Sequence, residues 1–435
     1  MWRKIATGAA ILLLAPVSTA AADNASAYRQ PAHWLLDPQA RCYVLHTDNH
    51  SADSVMWSGA CADRRAVGPG TATFLLDGRL VQSVSGNFIE GSAAGQVQAV
   101  WADGTHFEGV MIAGLAVGSQ TGYIYVRGEY RYLLEIVQKA IADAYAKGFL
   151  GKNIFGSGKT FDIYWHGGAG AYEVGEESAL MESLEGKRGI PRIRPPFPAV
   201  VGLWGGPTVI NNAETLASVP HILLGGPEWY ANLGTPKNGG TRLFCLGGNL
   251  NKPGVYELPM GYNLKKLIYD VGGGIPNGRK LKGVVPGGSS VAILTADEID
   301  VAMDFDSMMK AGSMLGSGGV VVLDDAACIV KFALRTTKFY KHESCGWCIP
   351  CREGTDWLQK TLIRFHDGGG VKKDIDNMYY LAENMLGRTF CPLGDAAAMP
   401  IMAFVKKFRK EFEDHLDGKP CPFEKAGQAQ EPVLA

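Results

Sequence analysis

The sequence carries no excess of charge of either sign and no run rich in lysine or arginine. Its 42 basic and 43 acidic residues give a formal net charge of −1 at pH 7. Because proteins that bind nucleic acid usually present a basic patch, nucleic acid is excluded as an expected partner. After the first two dozen residues the sequence also lacks an apolar stretch long enough to cross a bilayer. We therefore expect no direct membrane span.

Glycine, by contrast, is abundant. The 435 residues suffice for about two to four domains. The 56 glycines are close to twice the usual share of roughly 7%. Such a content is typical of chains with many turns, or of backbone that approaches a ligand closely.

Residues 1–22 have the layout of a secretory signal peptide. Arg3 and Lys4 precede an apolar stretch at 5–17, and small residues follow at 18–22. This order of basic, apolar and small residues is typical of a segment that is removed on export. The apolar stretch is short for a membrane anchor, and no paired arginines precede it.

The nine cysteines divide into two groups. Cys42 and Cys61 follow the predicted signal peptide, and they could form a disulfide in an oxidising compartment. The other cysteines lie from Cys245 onward, and four of them have the spacing of metal ligands. The first part of the chain is therefore typical of an exported protein, and the rest is typical of a cytosolic one.

Residues 37–118 contain a weak internal repeat. Gly91 recurs as Gly114 and Gly95 recurs as Gly118, a spacing of 23 residues. Pairs such as Asp77-Gly78 between alternating apolar residues indicate short β-hairpins. The segment resembles MORN repeats, which are arrays of β-hairpins that share a core. An ordinary glycine-rich β segment is the alternative.

Downstream of this repeat the pattern changes to strands alternating with helices. A strand pattern at 122–127, a helix pattern at 133–147 and a second strand at 160–165 precede a glycine-rich turn at 167–171 and a helix at 176–184. A strand, a glycine-rich turn and a helix in that order offer backbone N–H groups to an anionic or phosphorylated ligand.

Cys345, Cys348 and Cys351 form a C-x2-C-x2-C run, and Cys391 follows in a Cys-Pro-Leu-Gly segment. Thiolates are soft ligands that favour an iron–sulfur cluster or zinc. Structural zinc sites more often use two separated cysteine pairs, whereas three neighbouring cysteines and a distant fourth suit a [4Fe–4S] cluster. We predict such a cluster on these four residues, with zinc or uncoordinated thiols as alternatives. The chain is then expected to move electrons.

Several segments together resemble a known family. They are residues 122–130, 168–172, 175–186, 194–199 and 211–215, with the cysteine motifs and residues 394–397. From about Glu108 to about Asp417 the chain closely resembles the flavin- and NADH-binding subunit of respiratory complex I, that is, the family of NADH–quinone oxidoreductase F subunits. The same subunit type occurs in NAD-linked hydrogenases and formate dehydrogenases.

The resemblance implies an NADH dehydrogenase (quinone) subunit that passes electrons from NADH through FMN to a [4Fe–4S] cluster. A nicotinamide releases two electrons together and a cluster accepts one, so a flavin is needed between them. Glu177 is the catalytic candidate. By the resemblance, residues that approach the flavin are Tyr172, Gly175, Glu176, Glu177, Asn211, Asn212 and Thr215, and residues that contact NADH are Glu177, Arg194 and Phe197.

Each of these residues also has a structural interpretation. Glu176 and Glu177 would complement a helix N-terminus, Asn211 and Asn212 would form a turn or cap, and Phe197 would be a core residue between prolines. Arg194 stands where the family more often has lysine, which keeps the charge but changes its geometry.

The implied fold is α/β with three parts behind the N-terminal β-hairpin repeat segment. A partial Rossmann-like FMN- and NADH-binding domain is expected at 119–240. Short apolar runs broken by Gly, Pro and Asn predict a small α+β, β-grasp-like domain at 241–325. A helical bundle that holds the cluster is expected at 326–420, where Leu358, Leu362 and Phe365 fall on one helix face.

The chain departs from the family at its front end. In the family, a glycine-rich loop that cradles the FMN phosphate, and an acidic segment after it, lie upstream of the strand at 122. Neither is found in residues 1–107. Loss of those backbone contacts should lower the affinity for FMN. Val174 also replaces a usual cysteine. Residues 107–114 satisfy both the repeat and the family pattern, which favours a chimera formed by recombination or gene assembly over an evolved two-domain enzyme.

Partners and location follow from the resemblance as well. Besides NADH, the implied partners are a thioredoxin-like [2Fe–2S] subunit and other peripheral-arm subunits of complex I. The implied location is the cytoplasmic side of the inner membrane, which conflicts with the predicted signal peptide and leaves the periplasm as the alternative. The alternative function is an exported MORN-repeat binding or scaffold protein with an inactive enzyme tail.

Overall fold

The computed structural model describes residues 9–14, 33–41, 43–46, 54–62, 64–76, 79–89, 92–101, 108–416, 418 and 421–423. These residues divide into two compact units. The first contains 9–14, 112–136 and the described residues from 161 onward. The second contains the described residues between 33 and 111 and residues 137–160. All candidate site residues belong to the first unit.

The first strand of the chain, β1 (Ala9–Leu14), comes from the apolar stretch of the predicted signal peptide. The strands of the second unit come next, and they form one seven-stranded sheet with the path β2-β3-β6-β7-β8. They are β2 (His33–Leu36), β3 (Tyr43–His46), β4 (Ser54–Trp57), β5 (Ala60–Ala62), β6 (Arg65–Leu76), β7 (Arg79–Ile89) and β8 (Ser92–Trp101). Strands β6, β7 and β8 are antiparallel neighbours.

A small apolar core lies in the second unit. Its buried members are Val44, Val55, Trp57, Ala66, Ala72 and Phe74. Cys61 is disulfide-bonded. Its predicted partner, Cys42, lies outside the described residues.

Helix α1 (Glu108–Ala116) corrects the extent of the predicted repeat. The hairpin pattern is predicted to continue to residue 118, but this last copy is helical. Its glycine has a packing role instead, because a Cβ added at Gly114 would lie 2.3 Å from Cε2 of Phe161. A close contact with an aromatic ring, rather than a hairpin turn, therefore explains the glycine at this position.

The next region is built on a four-stranded sheet with the order β10-β9-β1-β11. Its elements are β9 (Thr121–Val126), α2 (Tyr132–Ala146), β10 (Asp162–Gly167), α3 (Glu177–Leu184), β11 (Thr208–Asn212), α4 (Ala213–Gly225) and α5 (Pro227–Asn232). β9 and β10 are parallel, whereas β1 is antiparallel to both β9 and β11. Strands β9, β10 and β11 therefore run in the same direction.

A mixed five-stranded sheet follows, with the order β13-β12-β16-β14-β15. Its elements are β12 (Thr241–Gly248), β13 (Gly254–Pro259), α6 (Leu264–Lys266), β14 (Leu281–Val285), β15 (Leu294–Thr295), α7 (Phe305–Lys310) and β16 (Gly319–Asp324). One apolar core, which includes the fully buried Phe244, Leu267 and Val322, lies against this sheet.

The remainder is helical. It contains α8 (Ile329–Glu343), α9 (Ile349–His366), α10 (Lys372–Met385), α11 (Leu393–Lys407) and α12 (Arg409–Glu413). Leu358, Leu362 and Phe365 are fully buried, so the predicted apolar face of α9 packs into the core of this region. The fold is thus mixed α/β with a helical C-terminal region.

None of the helices in the described part of the chain is both long enough and apolar enough to cross a bilayer.

Candidate functional site

The four predicted ligand cysteines line one cavity. Cys345, Cys348, Cys351 and Cys391 surround an empty volume of about 250 Å³, and its wall also contains Glu173, Ser344, Thr389 and Leu393. Cys345 lies in the turn after α8, Cys348 is the N-cap of α9, and Cys351 lies in its first turn. Cys391 comes just before α11. Two helices thus begin at this cavity, and a helix N-terminus stabilises negative charge.

The local backbone explains how three cysteines fit around one turn. Gly346 has a φ of +80°, a conformation that glycine adopts without strain. Arg188 Nη2 donates to the carbonyl of Cys345 at 2.9 Å and holds this turn against the preceding domain. The backbone N–H of Phe390 donates to Cys348 Sγ at 3.4 Å, and Ser344 Oγ lies 3.2 Å from Cys351 Sγ. The sulfur atoms are therefore positioned by hydrogen bonds as well as by the helices.

The electrostatics of the cavity favour a bound cationic group. Burial raises the pKa of the Cys351 thiol to about 11, although the hydrogen bond with Ser344 opposes this, and the neighbouring cysteines raise it further. Burial likewise raises the pKa of Cys391. Thiolates that repel one another across a buried cavity need a metal to ionise together.

The spacing of the sulfur atoms distinguishes between metals. A single tetrahedral zinc ion, with Zn–S bonds of about 2.3 Å, would bring its sulfur ligands to about 3.8 Å from one another. Of these four described cysteines, no three have sulfur atoms within 4.8 Å of one another. The wider arrangement suits a polynuclear cluster, so the residues fit a [4Fe–4S] group rather than one zinc ion.

A second set of candidates lies at one edge of the four-stranded sheet. Strands β9, β10 and β11 end there at Val126, Gly167 and Asn212, and ligands of open α/β sheets bind at the carboxyl ends of the strands. The turn after β10 is close-packed, because a Cβ added at Gly168 would lie 2.6 Å from Tyr125 Oη. Only glycine fits at this position, as the pattern of a glycine-rich turn predicts.

Glu176, Glu177 and Arg194 form one charged group beside this edge. Glu176 is the N-cap of α3 and accepts hydrogen bonds from the backbone of Ser178 and Ala179 at 3.0 and 2.9 Å. Its other oxygen, Oε1, lies 3.1 Å from Arg194 Nη2, and Glu177 Oε1 lies 2.6 Å from Arg194 Nη1. The Glu176 side chain is 8% exposed and that of Glu177 is 38% exposed. Glu177 is therefore the more accessible carboxylate.

The other predicted residues occupy separate positions. Asn212 is the N-cap of α4, where its Oδ1 accepts from the Glu214 backbone at 2.7 Å, and Thr215 is exposed in the first turn. Asn211 lies in β11 opposite Ile11. The Phe197 side chain is 57% exposed, so it is not the core residue of the structural interpretation.

Tyr172 and Gly175 bound a short 3₁₀ turn that precedes α3. The Tyr172 backbone N–H donates to Glu343 Oε2 at 2.8 Å, and its ring packs edge-on against Phe339 at a centroid distance of 5.1 Å. This turn is thereby attached to α8 of the helical region. Burial raises the pKa of Glu173, which lies within the turn and lines the cysteine cavity.

Sequence reasoning missed several residues around these sites. Glu173 stands beside Tyr172 with no spacing signal of its own. A network joins Arg192 to Glu182 and to Glu185, the latter at 2.7 Å, and it includes the Trp204 backbone. Burial opposes ionisation of Glu185, but hydrogen bonds from Lys187, Trp204 and Arg192 together lower its pKa to about 2. These contacts join residues that are distant in sequence, which no periodic pattern indicates.

The residues at the sheet edge fit a flavin in part. The close-packed glycine turn and the buried Glu176 Oε1, which has no hydrogen-bond partner of its own, are features of a site that accepts a ligand. The neighbouring strand β1, however, presents its amino end at this edge, since Ala9 pairs with Val126 and Ala10 with Asn212. A phosphate-binding turn follows the carboxyl end of a strand, so β1 provides none here.

Three family models match the chain. Residues 104–221 match the Nuo51 FMN-binding domain, residues 242–322 match the SLBB domain, and residues 331–415 match the NADH-ubiquinone oxidoreductase-F iron-sulfur binding region. Among curated proteins, the F subunit of NADH-quinone oxidoreductase of Rhizobium meliloti that is numbered 2 is 51% identical over 316 residues, which are 73% of this chain and 75% of that protein. The F subunit of the same enzyme in Mycobacterium bovis is 50% identical over 317 residues, 73% of this chain and 71% of that one.

The chain belongs to the family of NADH-quinone oxidoreductase F subunits. It is an oxidoreductase flavoprotein subunit with an FMN-binding and a [4Fe–4S]-binding region. The predicted family resemblance is confirmed, and the alternative of an exported scaffold with an inactive tail finds no support. The predicted signal peptide and MORN-like repeats precede the matched residues and stay predictions.

A solved structure gives the same relationship. The chain is similar to a subunit of the NAD⁺-reducing [NiFe]-hydrogenase in its H₂-reduced state, with a TM-score of 0.65 and 34% identity. The similar part covers 73% of this chain and 53% of that chain, so this protein spans about half of the hydrogenase subunit. Both kinds of relative are parts of larger oxidoreductases, which supports a multisubunit complex as the setting of this chain.

Proposed function

We propose that this chain oxidises NADH at the carboxyl edge of the four-stranded sheet and delivers electrons to the cysteine cavity. The observation that carries the proposal is that one short segment serves both places. Glu173 lines the cavity, and Glu176 and Glu177 belong to the charged group with Arg194. Four residues of extended chain span at most about 14 Å, so Glu173 and Glu177 lie within that reach.

When bound, FMN accepts a hydride from NADH, and an iron–sulfur cluster passes electrons singly. The proposed ligands of the cluster are Cys345, Cys348, Cys351 and Cys391. The proposed flavin-binding residues are Tyr172, Gly175, Glu176, Glu177, Asn211, Asn212 and Thr215. Their shared location at one end of β11 and after β10 supports this set.

Arg194 and Phe197 are proposed to bind NADH together with Glu177. Arg194 orients both carboxylates through its two terminal nitrogens. Glu177 keeps an accessible oxygen for a substrate hydroxyl or amide, whereas Glu176 is held by the helix N-terminus. Phe197 exposes a ring that can stack on an adenine or nicotinamide face. Glu177 is the residue we assign to catalysis.

The finer architecture belongs to the same proposal. The region at 119–240 is interpreted as a partial Rossmann-like domain, 241–325 as a β-grasp-like domain and 326–420 as the cluster-bearing bundle. The strands before residue 102 are interpreted as a MORN-like hairpin array behind a signal peptide at 1–22. Because β1 supplies no phosphate-binding turn at the sheet edge, we expect FMN to bind more weakly than in a family member that has the glycine-rich loop.

Partners and location are proposed from the family. A thioredoxin-like [2Fe–2S] subunit and other peripheral-arm subunits of complex I would receive the electrons. The expected location is the cytoplasmic side of the inner membrane. If the predicted signal peptide is used, the location is the periplasm instead, and mass analysis of the mature N-terminus decides between the two.

The test is reduction by NADH of the anaerobically purified chain, with and without added FMN. We expect NADH to bleach the visible absorbance and to support ferricyanide reduction, with the rate rising as FMN is added. Glu177→Gln should lower kcat/KM for NADH about tenfold, equivalent to ~1.4 kcal/mol.

The matched control is Glu257→Gln. Glu257 is an exposed carboxylate on β13 that bonds to Thr241 at 2.9 Å, and it belongs to neither proposed site. Its rate should equal that of the wild type. No bleaching by NADH at saturating FMN, or an equal loss in both variants, would contradict the proposed roles.

A further inference from the structure

A second buried group of metal-ligand side chains lies in the helical region, and it shares no residue with the cysteine cavity. Cys328, His415 and Cys421 are all buried, and one donor atom of each lies within 4.8 Å of the others. They come from three places in the chain: the N-cap of α8, the turn after α12 and the segment that follows it. The family match over residues 331–415 ends at His415 and includes neither cysteine.

The histidine is oriented as a metal ligand. Its Nδ1 lies 2.6 Å from the Glu411 carbonyl oxygen, which only accepts, so Nδ1 carries the proton. Nε2 is then left with a lone pair, and it lies 3.5 Å from Cys328 Sγ. A backbone carbonyl that fixes the second ring nitrogen is the usual partner of a metal-bound histidine.

The distances fit one tetrahedral ion. Zn–S and Zn–N bonds of about 2.3 and about 2.0 Å at a tetrahedral angle place the sulfur and nitrogen about 3.5 Å apart. This is the observed separation of Cys328 Sγ and His415 Nε2. The sulfur of Cys328 also accepts from the backbone N–H of Lys331 at 3.4 Å, which suits a thiolate.

The surroundings hold the three residues together without supplying charge to the thiols. Glu411 accepts from the Ile329 backbone at 3.1 Å and pairs with Lys282 at 2.7 Å, so its carboxylate is already satisfied. Lys282 Nζ also lies 3.9 Å from the centroid of the Phe423 ring. Burial raises the pKa of the Cys328 thiol to about 12, so without a metal it stays protonated.

We propose that Cys328, His415 and Cys421 bind one zinc ion that fastens the segment after α12 to the start of α8. Two thiolates and an imidazole are a ligand set that zinc prefers, and a water molecule would complete the tetrahedron. Binding Zn²⁺ releases the two thiol protons and changes no oxidation state. The site is structural, since all three side chains are buried, and it is independent of the proposed NADH oxidation.

The direct test is zinc content and zinc K-edge absorption fine structure of the full chain, purified anaerobically from zinc-supplemented cells. We expect about one zinc per chain, with two sulfur ligands at about 2.3 Å and nitrogen or oxygen ligands at about 2.0 Å. A zinc-free protein overturns the proposal. So does a shell of four sulfur atoms, which would place zinc in the cysteine cavity instead.

Variants give a second, separate readout. Cys421→Ser should lower zinc at least about tenfold and leave iron unchanged, while Cys421→His, which restores a ligand, should retain both metals. Cys245→Ser is the matched control, because Cys245 is a partly buried free cysteine on β12 outside both groups. Zinc retained in Cys421→Ser, or a Cys328–Cys421 disulfide in the anaerobic protein, would overturn the proposal.

Discussion

Replacing Arg194 with methionine should loosen the start of α3 while most of the structure stays intact. The change removes the positive charge that pairs with both Glu176 and Glu177 and keeps a side chain of similar length. Glu176 Oε1 is buried, so it would lose its counterion without gaining water. Glu177 is more exposed, and solvent would screen its loss.

The magnitude follows from these exposures. A buried polar atom left without a partner costs about 1–3 kcal/mol, and an exposed ion pair contributes about 0–1 kcal/mol. We therefore expect local destabilisation of about 2 kcal/mol, most of it through Glu176. Because ~1.4 kcal/mol is a factor of ten, amide exchange at the start of α3 should accelerate about thirtyfold.

The assay is hydrogen–deuterium exchange followed by mass spectrometry, on the nucleotide-free protein, for peptides that cover 176–186. Ser178 and Ala179 report directly, since their backbone N–H groups donate to Glu176. Arg409→Met is the matched control, because Arg409 pairs with Asp376 at 2.7 Å where the two side chains are 39% and 66% exposed. An acceleration below about threefold in Arg194→Met, or an equal effect of the control on its own helix, would refute the reasoning.

Three further predictions concern the same unit. Cys348→Ala should abolish the visible absorbance of the cluster, whereas Cys245→Ala should keep it; an unchanged iron content in Cys348→Ala would refute the ligand assignment. Glu185→Gln should be less stable than wild type near neutral pH, and because the pKa of Glu185 is lowered from 4.5 to about 2, this difference should vanish as pH falls through that interval; thermal melting from about pH 6 to about pH 3 tests the sign. Gly394→Ala should speed cluster loss in air, since the new Cβ would lie 2.6 Å from Thr389 Oγ1, which bonds to the Cys391 carbonyl; Gly247→Ala, with nothing nearer than 3.9 Å, should not.

Chemistry that depends on residue type and close spacing was predictable from the sequence. The C-x2-C-x2-C run and Cys391 lead to one cavity because thiolates at that spacing share a turn and a helix start. The helix predicted at 133–147 is found at Tyr132–Ala146, and its buried face is displaced by one residue. Leu133 is buried there in place of Leu134, and Tyr145 is 38% exposed, because the apolar pattern fixes a face only to within one residue.

Features that depend on distant pairing were not predictable. The strand β1 joins the sheet between β9 and β11, although its apolar run reads equally well as a signal peptide. The apolar character of such a run indicates burial, and it does not specify a partner. The group of Cys328, His415 and Cys421 was missed for the same reason, since its members have no compact spacing and meet only when α12 packs at the start of α8.

The join between the repeat-like strands and the family region has a physical consequence. The glycine at 114, which the repeat pattern emphasises, packs against Phe161 of the family region. The shared stretch at 107–114 therefore fits the helix of the family region, whatever preceded it. What the front end does not supply is the backbone that binds phosphate, so flavin occupancy and cluster occupancy should be separable in this chain.

The most direct measurement is the content of iron, acid-labile sulfide and flavin after anaerobic purification. With a cluster on the four cysteines, the protein should contain about four iron and four sulfide per chain. These should be lost in Cys391→Ser and kept in Cys245→Ser, and flavin should rise towards one per chain only when FMN is added. A wild-type protein with iron well below one per chain, or iron that survives in Cys391→Ser, would contradict the account.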